Sequence, residues 1–159
     1  MKPNDNPMNF NRDSGVLCHV TSLPSMDGIG NLGESSRTWI DFLSASKSRF
    51  WQMLPLGPTG FGDSPYQVFS AFAGNPMIIS LHDFVKEGIF SEEEITPPYD
   101  VEQDFIDFLE LNKWKEPKLR LLYERLKEKS DKNRLAQKSQ WHEENAYWLD
   151  KYTLFMASK

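Results

Sequence analysis

Residues 50–67 read FWQMLPLGPTGFGDSPYQ, and this stretch decides the fold class. It begins with an apolar run, FWQMLPL (50–56), which predicts a short buried strand that ends at a proline. The segment behind it, GPTGFGDSPYQVFSAFAGNP (57–76), is rich in glycine and proline and predicts a long loop. A strand that runs into a long loop is typical of the units from which α/β folds are built.

The sequence before this stretch has the same layout. GVLCHV (15–20) predicts a first strand, TSLPSMDGIGNLG (21–33) a loop, and SSRTWIDFLSASKS (35–48) an amphipathic helix capped by Ser35 or Ser36. The order strand, loop, helix, strand, loop favours an α/β protein with a parallel sheet.

The sequence after the second loop becomes mainly helical. MIISL (77–81) predicts a third short strand, HDFVKEGIF (82–90) a short helix and SEEEITPPYD (91–100) an exposed acidic connection. Two sets of apolar residues with helical spacing predict two amphipathic helices beyond it. These sets are Leu119, Leu122, Tyr123 and Leu126, and then Trp148, Tyr152, Phe155 and Met156.

The string GIGNLG (28–33) matches the glycine pattern of dinucleotide-binding loops. In such loops the first glycine follows the strand directly, whereas residues 21–27 separate Val20 from Gly28 here. The pattern also needs an acid about 20 residues further on, and SRFWQM (48–53) offers none. A NAD-binding module is therefore disfavoured, and the glycines are interpreted as a tight loop.

Composition excludes several classes of protein. The chain has 159 residues, with 23 Asp and Glu against 18 Lys and Arg, and a net charge of −5 disfavours a nucleic-acid partner. No apolar run approaches the roughly 20 residues that a membrane span needs. A single cysteine, Cys18, and a polar N-terminus without a signal-like apolar core predict a cytoplasmic protein.

The loop segment GDSPYQ (62–67) carries the candidate site. Asp63, Ser64 and Gln67 supply polar groups that bond hydroxyls, and the Tyr66 ring can pack on the apolar face of a sugar. Loops at the carboxyl ends of parallel strands are also where α/β proteins place their sites. The alternative is an ordinary turn in which Tyr66 only packs.

Three long stretches make the chain resemble a known family, the amylomaltases or 4-α-glucanotransferases, over their N-terminal part. The stretches are SGVLCHVTSLPSMDGIGNLG (14–33), FWQMLPLGPTGFGDSPYQVFSAFAGNPMII (50–79) and WHEENAYWLDKYTLFMASK (141–159). Residues 91–140 are similar only loosely. The resemblance implies the N-terminal part of a (β/α)8 TIM barrel with a helical insertion. It implies the first strands and helices of the barrel at 15–90, and a mainly helical insertion at 91–159. The composition of residues 1–14, rich in Asn, Pro and Asp, predicts a flexible tail before them.

The resemblance also implies an activity. The family transfers a segment of an α-1,4-glucan to the 4-hydroxyl of another glucan or of glucose with retention, and needs no metal or cofactor. It implies that Tyr66 stacks on the sugar beside the scissile bond, while Asp63, Ser64 and Gln67 supply or organise polar contacts. Phe61 stands where the family usually has tyrosine, so it keeps a stacking ring without the hydroxyl. Met26-Asp27 replaces the usual Pro-Tyr, which predicts a less rigid first loop.

The carboxyl groups for this chemistry are not expected in this segment. Retaining transfer needs two of them about 5–5.5 Å apart, and in the family they lie on later barrel strands. Asp63 is the only acid in a plausible cleft. His19 alternates with Cys18 along a strand, so the two cannot face one ligand, and no metal site is predicted.

We therefore expect no catalytic residue and no activity from this segment alone. This fits either a truncated product or a piece of a longer chain. Its expected partners are maltooligosaccharides and the rest of its own barrel. A non-enzymatic glucan-binding remnant is the alternative function.

Overall fold

A computed structural model describes residues 13–101 and 104–159. Within these ranges the chain forms two strands, β1 and β2, and five α-helices, α1 to α5. In chain order they are β1 (Gly15–Leu17), α1 (Glu34–Ala45), β2 (Phe50–Gln52), α2 (Leu81–Lys86), α3 (Glu92–Ile95), α4 (Phe108–Glu128) and α5 (Lys132–Ser158). Single 3-10 turns lie at Val20–Ser22 and Pro76–Ile78. Of the tail expected at 1–14, residues 1–12 lie outside the described part.

The two strands pair in parallel, as the order of elements predicts. Gly15 is paired with Phe50, and Leu17 is paired with Gln52. The pairing continues one residue further, because the Cys18 amide donates to the carbonyl oxygen of Gln52 over 3.0 Å. The carboxyl ends of both strands therefore lie at the same end of this partial sheet.

Three local predictions are wrong. The strand expected at 77–81 is absent, because Asn75 accepts a hydrogen bond from the Met77 amide and starts the 3-10 turn at Pro76–Ile78. Helix α1 is preceded by Gly33 instead of a serine cap. The acidic connection contains α3, which buries Ile95 completely.

Helices α2, α3 and α4 enclose the larger of the two apolar clusters. Its fully or nearly fully buried members are Ile29, Leu81, Ile89, Phe90, Ile95, Leu111, Trp114 and Leu122. A second cluster, formed by Val20, Leu23 and Ile78 with Trp39 and Trp51 against them, lies beside the strands. Ile29 comes from the first loop, so this loop contributes to the larger core.

Four polar side chains, here named the Asp27 cluster, hold the first loop against α4. The cluster consists of Asp27, Asn31, His82 and Lys115. Lys115 donates from Nζ to Asp27 Oδ2 over 2.7 Å, and both side chains are completely buried. Asn31 donates to the same oxygen over 3.0 Å, while His82 Nδ1 lies 3.1 Å from Asp27 Oδ1. Burial lowers the pKa of Lys115, and the Asp27 carboxylate opposes that shift.

A neighbouring ring completes this attachment of the first loop. The Tyr99 hydroxyl donates to the main-chain oxygen of Asp27 over 3.1 Å. Burial raises the pKa of Tyr99 to about 12. The completely buried Asp27 is thus a polar anchor of the first loop, and the reduced rigidity expected from Met26-Asp27 stays a prediction.

Helix α5 packs differently from α4, because none of its residues is fully buried. Aromatic pairs connect it to the second loop. The Phe72 ring stacks on Trp148 at 5.7 Å, and Phe69 lies 6.1 Å from Phe155. Across the described ranges, no helix combines the length and the apolar character needed to cross a bilayer.

Replacing Lys115 by methionine should strongly destabilise the fold. The variant leaves the Asp27 carboxylate buried without its cation, which typically costs about 3–5 kcal/mol. The change is measured as the free energy of unfolding in urea. Lys113→Met is the matched control, because Lys113 is exposed and pairs with Glu110 on the same helix. The control should change the free energy by less than about 1 kcal/mol, and equal effects of both variants would contradict the importance of the buried pair.

A second prediction concerns acid. Arg125 binds both carboxylate oxygens of Glu94, at 2.5 and 3.1 Å, and lowers the pKa of Glu94 from 4.5 to about 2. A lowered folded-state pKa adds stability above the unfolded-state pKa, and this stability is lost as the pH falls towards the folded-state value.

The stability difference between the unchanged chain and Glu94→Gln should therefore be constant above about pH 5 and shrink towards about pH 2. Urea unfolding at several pH values measures it. Glu93→Gln, at the exposed neighbour, is the control and should show no such trend. A difference for Glu94→Gln that does not depend on pH would contradict the role of this ion pair.

Candidate functional site

The segment GDSPYQ forms the tip of a small antiparallel hairpin in the second loop. Thr59 and Val68 form a β-bridge, and the Gly60 amide donates to the Gln67 carbonyl oxygen over 2.9 Å. At the tip, the Gln67 amide donates to the carbonyl oxygen of Ser64 over 3.0 Å. These hydrogen bonds give the six residues a defined turn instead of an open loop.

Two consecutive residues of this turn adopt positive φ values, 81° at Gly62 and 51° at Asp63. Glycine adopts this conformation freely, and aspartate is one of the few other residues that tolerate it. The Thr59 hydroxyl donates to Asp63 Oδ1 over 3.1 Å and fixes the carboxylate in place. Its second oxygen, Oδ2, remains as a further acceptor.

A cavity of about 300 Å³ lies where the segments that follow β1 and β2 meet. Its wall mixes polar and apolar side chains. The polar residues are His19, Thr21, Ser22, Thr59, Asp63 and Asn75, and the apolar ones include Ile29, Leu54, Pro55, Leu56, Ile78 and Phe108. This mixture can contact both the C–H faces and the hydroxyls of an uncharged polar ligand.

The structure places all five predicted binding residues on the hairpin, but only Asp63 on the cavity wall. Phe61 and Tyr66 are 100% and 73% exposed, so both rings are open to a ligand. Ser64 is half-buried, and its hydroxyl accepts a hydrogen bond from the Tyr66 amide. Gln67 is exposed and contributes its main-chain groups to the hairpin.

Sequence reasoning missed the cavity residues that come from other segments, namely His19, Thr21, Ser22 and Asn75. The alternation of His19 with Cys18 along a strand argues only against a ligand shared by the two residues. The position of His19 just after the end of β1 is a signal that could have identified it, because α/β sites form at strand carboxyl ends. No pattern in the sequence indicated that Asn75 lines the cavity. Its side-chain oxygen also caps the 3-10 turn at Pro76–Ile78.

The acids and histidines of the described ranges do not converge on the cavity. Asp63 is the one carboxylate on the wall of this cavity. His82 belongs to the Asp27 cluster, where its Nε2 lies 3.5 Å from Glu92 Oε2, and His142 pairs with Asp150 on α5. Residues 13–101 and 104–159 contain no group of three or more such side chains that could hold a metal ion.

A parallel strand pair whose following loops form a cavity of mixed polarity defines a class: an α/β chain with its site at the strand carboxyl ends. The family model described as 4-alpha-glucanotransferase, of glycoside hydrolase family 77, matches residues 18–159. The chain belongs to this family.

Individual relatives agree with this assignment. The chain is 43% identical over 152 residues to a 4-alpha-glucanotransferase of Thermus thermophilus, which is 96% of this chain and 30% of that protein. It is 38% identical over 149 residues to a 4-alpha-glucanotransferase of Streptococcus pneumoniae, covering 93% and 29%. The chain therefore spans about 30% of the length of the curated relatives it matches.

A solved structure is also similar over nearly the whole chain. It is the amylomaltase from Streptococcus agalactiae in complex with acarbose, with a TM-score of 0.82 and 36% sequence identity. The match covers 94% of this chain and 30% of that one. At this identity and score, the likeness extends to the arrangement of the helices and of the strand pair.

Proposed function

We propose that this chain is the N-terminal part of a 4-α-glucanotransferase and forms part of its glucan-binding cleft. The observation that carries the proposal is the cavity at the carboxyl ends of β1 and β2, whose wall includes Asp63 of the hairpin that also carries the exposed rings of Phe61 and Tyr66. The family membership and the likeness to an amylomaltase in complex with acarbose support it.

In this proposal β1 and β2 are the first two strands of a (β/α)8 barrel, and the helices after residue 91 are an insertion. The remaining strands of the barrel would continue the sheet beside this pair. A two-stranded parallel sheet is marginal by itself, which supports a partner that extends it. The whole protein would transfer α-1,4-glucan segments with retention, without a metal or cofactor.

Each predicted binding residue has a role that its position supports. The open ring of Tyr66 would stack on a glucose unit, and Phe61 would offer a second apolar ring. Asp63, with Oδ1 occupied by Thr59, would accept a ligand hydroxyl on its other oxygen. Ser64 and Gln67 would hold the turn that presents both rings.

Tyr66→Ala should weaken the binding of maltoheptaose by about tenfold, because it removes a stacking ring. Chemical-shift titration of residues 1–159 by NMR measures the dissociation constant. Tyr123→Ala is the matched control, since Tyr123 is also an exposed tyrosine, 53% accessible, but lies on α4 outside the hairpin. The control should bind as the unchanged chain does. Equal affinities of all three proteins would contradict the role of Tyr66, and no binding by any of them would contradict the proposed site.

A second prediction separates glucan binding from transfer. Retaining transfer needs two carboxyl groups about 5–5.5 Å apart, whereas the cavity wall in the described part offers Asp63 alone. Residues 1–159 incubated with maltotriose should therefore release no glucose and form no longer maltodextrins, as chromatography would show. Turnover that is lost in Asp63→Asn would show that this carboxylate takes part in catalysis.

A further inference from the structure

His19 presents an unusual imidazole to the cavity. It follows β1 by two residues and lines the wall together with Thr21, Asp63 and Asn75. Its Nδ1 atom is buried and, among the described residues, has no hydrogen-bond partner. Buried polar atoms are nearly always paired, and each exception needs an explanation.

The unpaired nitrogen determines which form of the ring is favourable. Burial lowers the pKa of His19, so the ring is neutral near pH 7 and carries one proton. A proton on Nδ1 would create a buried N–H group without an acceptor, which is rarer and more costly than an unpaired acceptor. The favoured tautomer therefore has its proton on Nε2, which is not among the buried, unpaired side-chain atoms of the described residues.

A neutral N–H donor complements the other polar groups of the cavity. The Asp63 carboxylate can only accept hydrogen bonds, and the Thr59 hydroxyl already donates to it. A sugar hydroxyl both donates and accepts, so a wall that binds it needs a donor as well as the carboxylate. A donor without charge suits an uncharged ligand, because it adds no buried charge.

We propose that His19 is a glucan-binding residue whose Nε2–H donates a hydrogen bond to a hydroxyl oxygen of an α-1,4-glucan in this cavity. This inference rests on the proposed function. It adds a contact from the end of β1 to those predicted on the hairpin, so the ligand would be held from two sides.

Two substitutions at His19 separate the hydrogen bond from the shape of the ring. His19→Phe keeps a flat ring and removes the donor, whereas His19→Gln places an amide N–H₂ donor near the position of Nε2. Maltoheptaose is titrated into residues 1–159 and followed by NMR chemical shifts. His19→Phe should bind about five- to tenfold more weakly, and His19→Gln should keep most of the affinity. His142→Phe, at an exposed histidine on α5, is the matched control and should bind as the unchanged chain does.

A direct measurement on the unchanged chain covers the case in which a variant does not fold. The ¹⁵N signals of the three histidines report which ring nitrogen carries the proton. We expect the Nε2–H form for His19, and a shift of its Nε2 signal, but not that of His142, on adding maltoheptaose.

The failures of the two proposals are distinguishable. Equal binding by the unchanged chain and a folded His19→Phe, or a His19 signal that stays still while Tyr66 responds, would overturn the role of His19 and leave the proposed function standing. An absence of any maltoheptaose binding by the unchanged chain would overturn both.

Discussion

The buried ion pair between Asp27 and Lys115 is the constraint on which the rest of this structure depends. It joins the first loop, at one end of the strand pair, to the middle of α4, which begins 81 residues after Asp27. Two buried charges are favourable only with close geometry and further hydrogen bonds, and Asn31 and His82 supply these for Asp27. The ion pair therefore holds the first loop in a defined position. Thr21 and Ser22 of this loop line the cavity, so their positions are fixed with it.

Local sequence patterns predicted the elements whose cause is local. The amphipathic pattern of residues 35–48 predicted α1, and the apolar runs at 15–20 and 50–56 contained the two strands that pair in parallel. The strand expected at 77–81 failed for a reason that is also local but was overlooked. An asparagine before a proline starts a helical turn, and in such a turn Ile78 is buried without any strand.

The candidate site was predictable only in the part that is continuous in sequence. GDSPYQ concentrates its polar and aromatic groups in six residues, so composition alone indicated Asp63 and Tyr66. His19 and Asn75 reach the same cavity from 44 residues before and 12 residues after Asp63, and only the fold brings them together. The Asp27 cluster could not be predicted from the sequence for the same reason. Its ion pair joins residues 88 positions apart, and neither partner belongs to a local motif.

Helix α5 has no fully buried residue, and this has a consequence for cooperativity. Its rings pack on Phe69 and Phe72 of the second loop, whereas α4 places Leu111, Trp114 and Leu122 in the larger core. Elements with few buried apolar contacts open locally at a lower free-energy cost, so we expect α5 to open more readily than α4. Since Phe69 and Phe72 follow the GDSPYQ hairpin, detachment of α5 would expose rings of the second loop close in sequence to the candidate site.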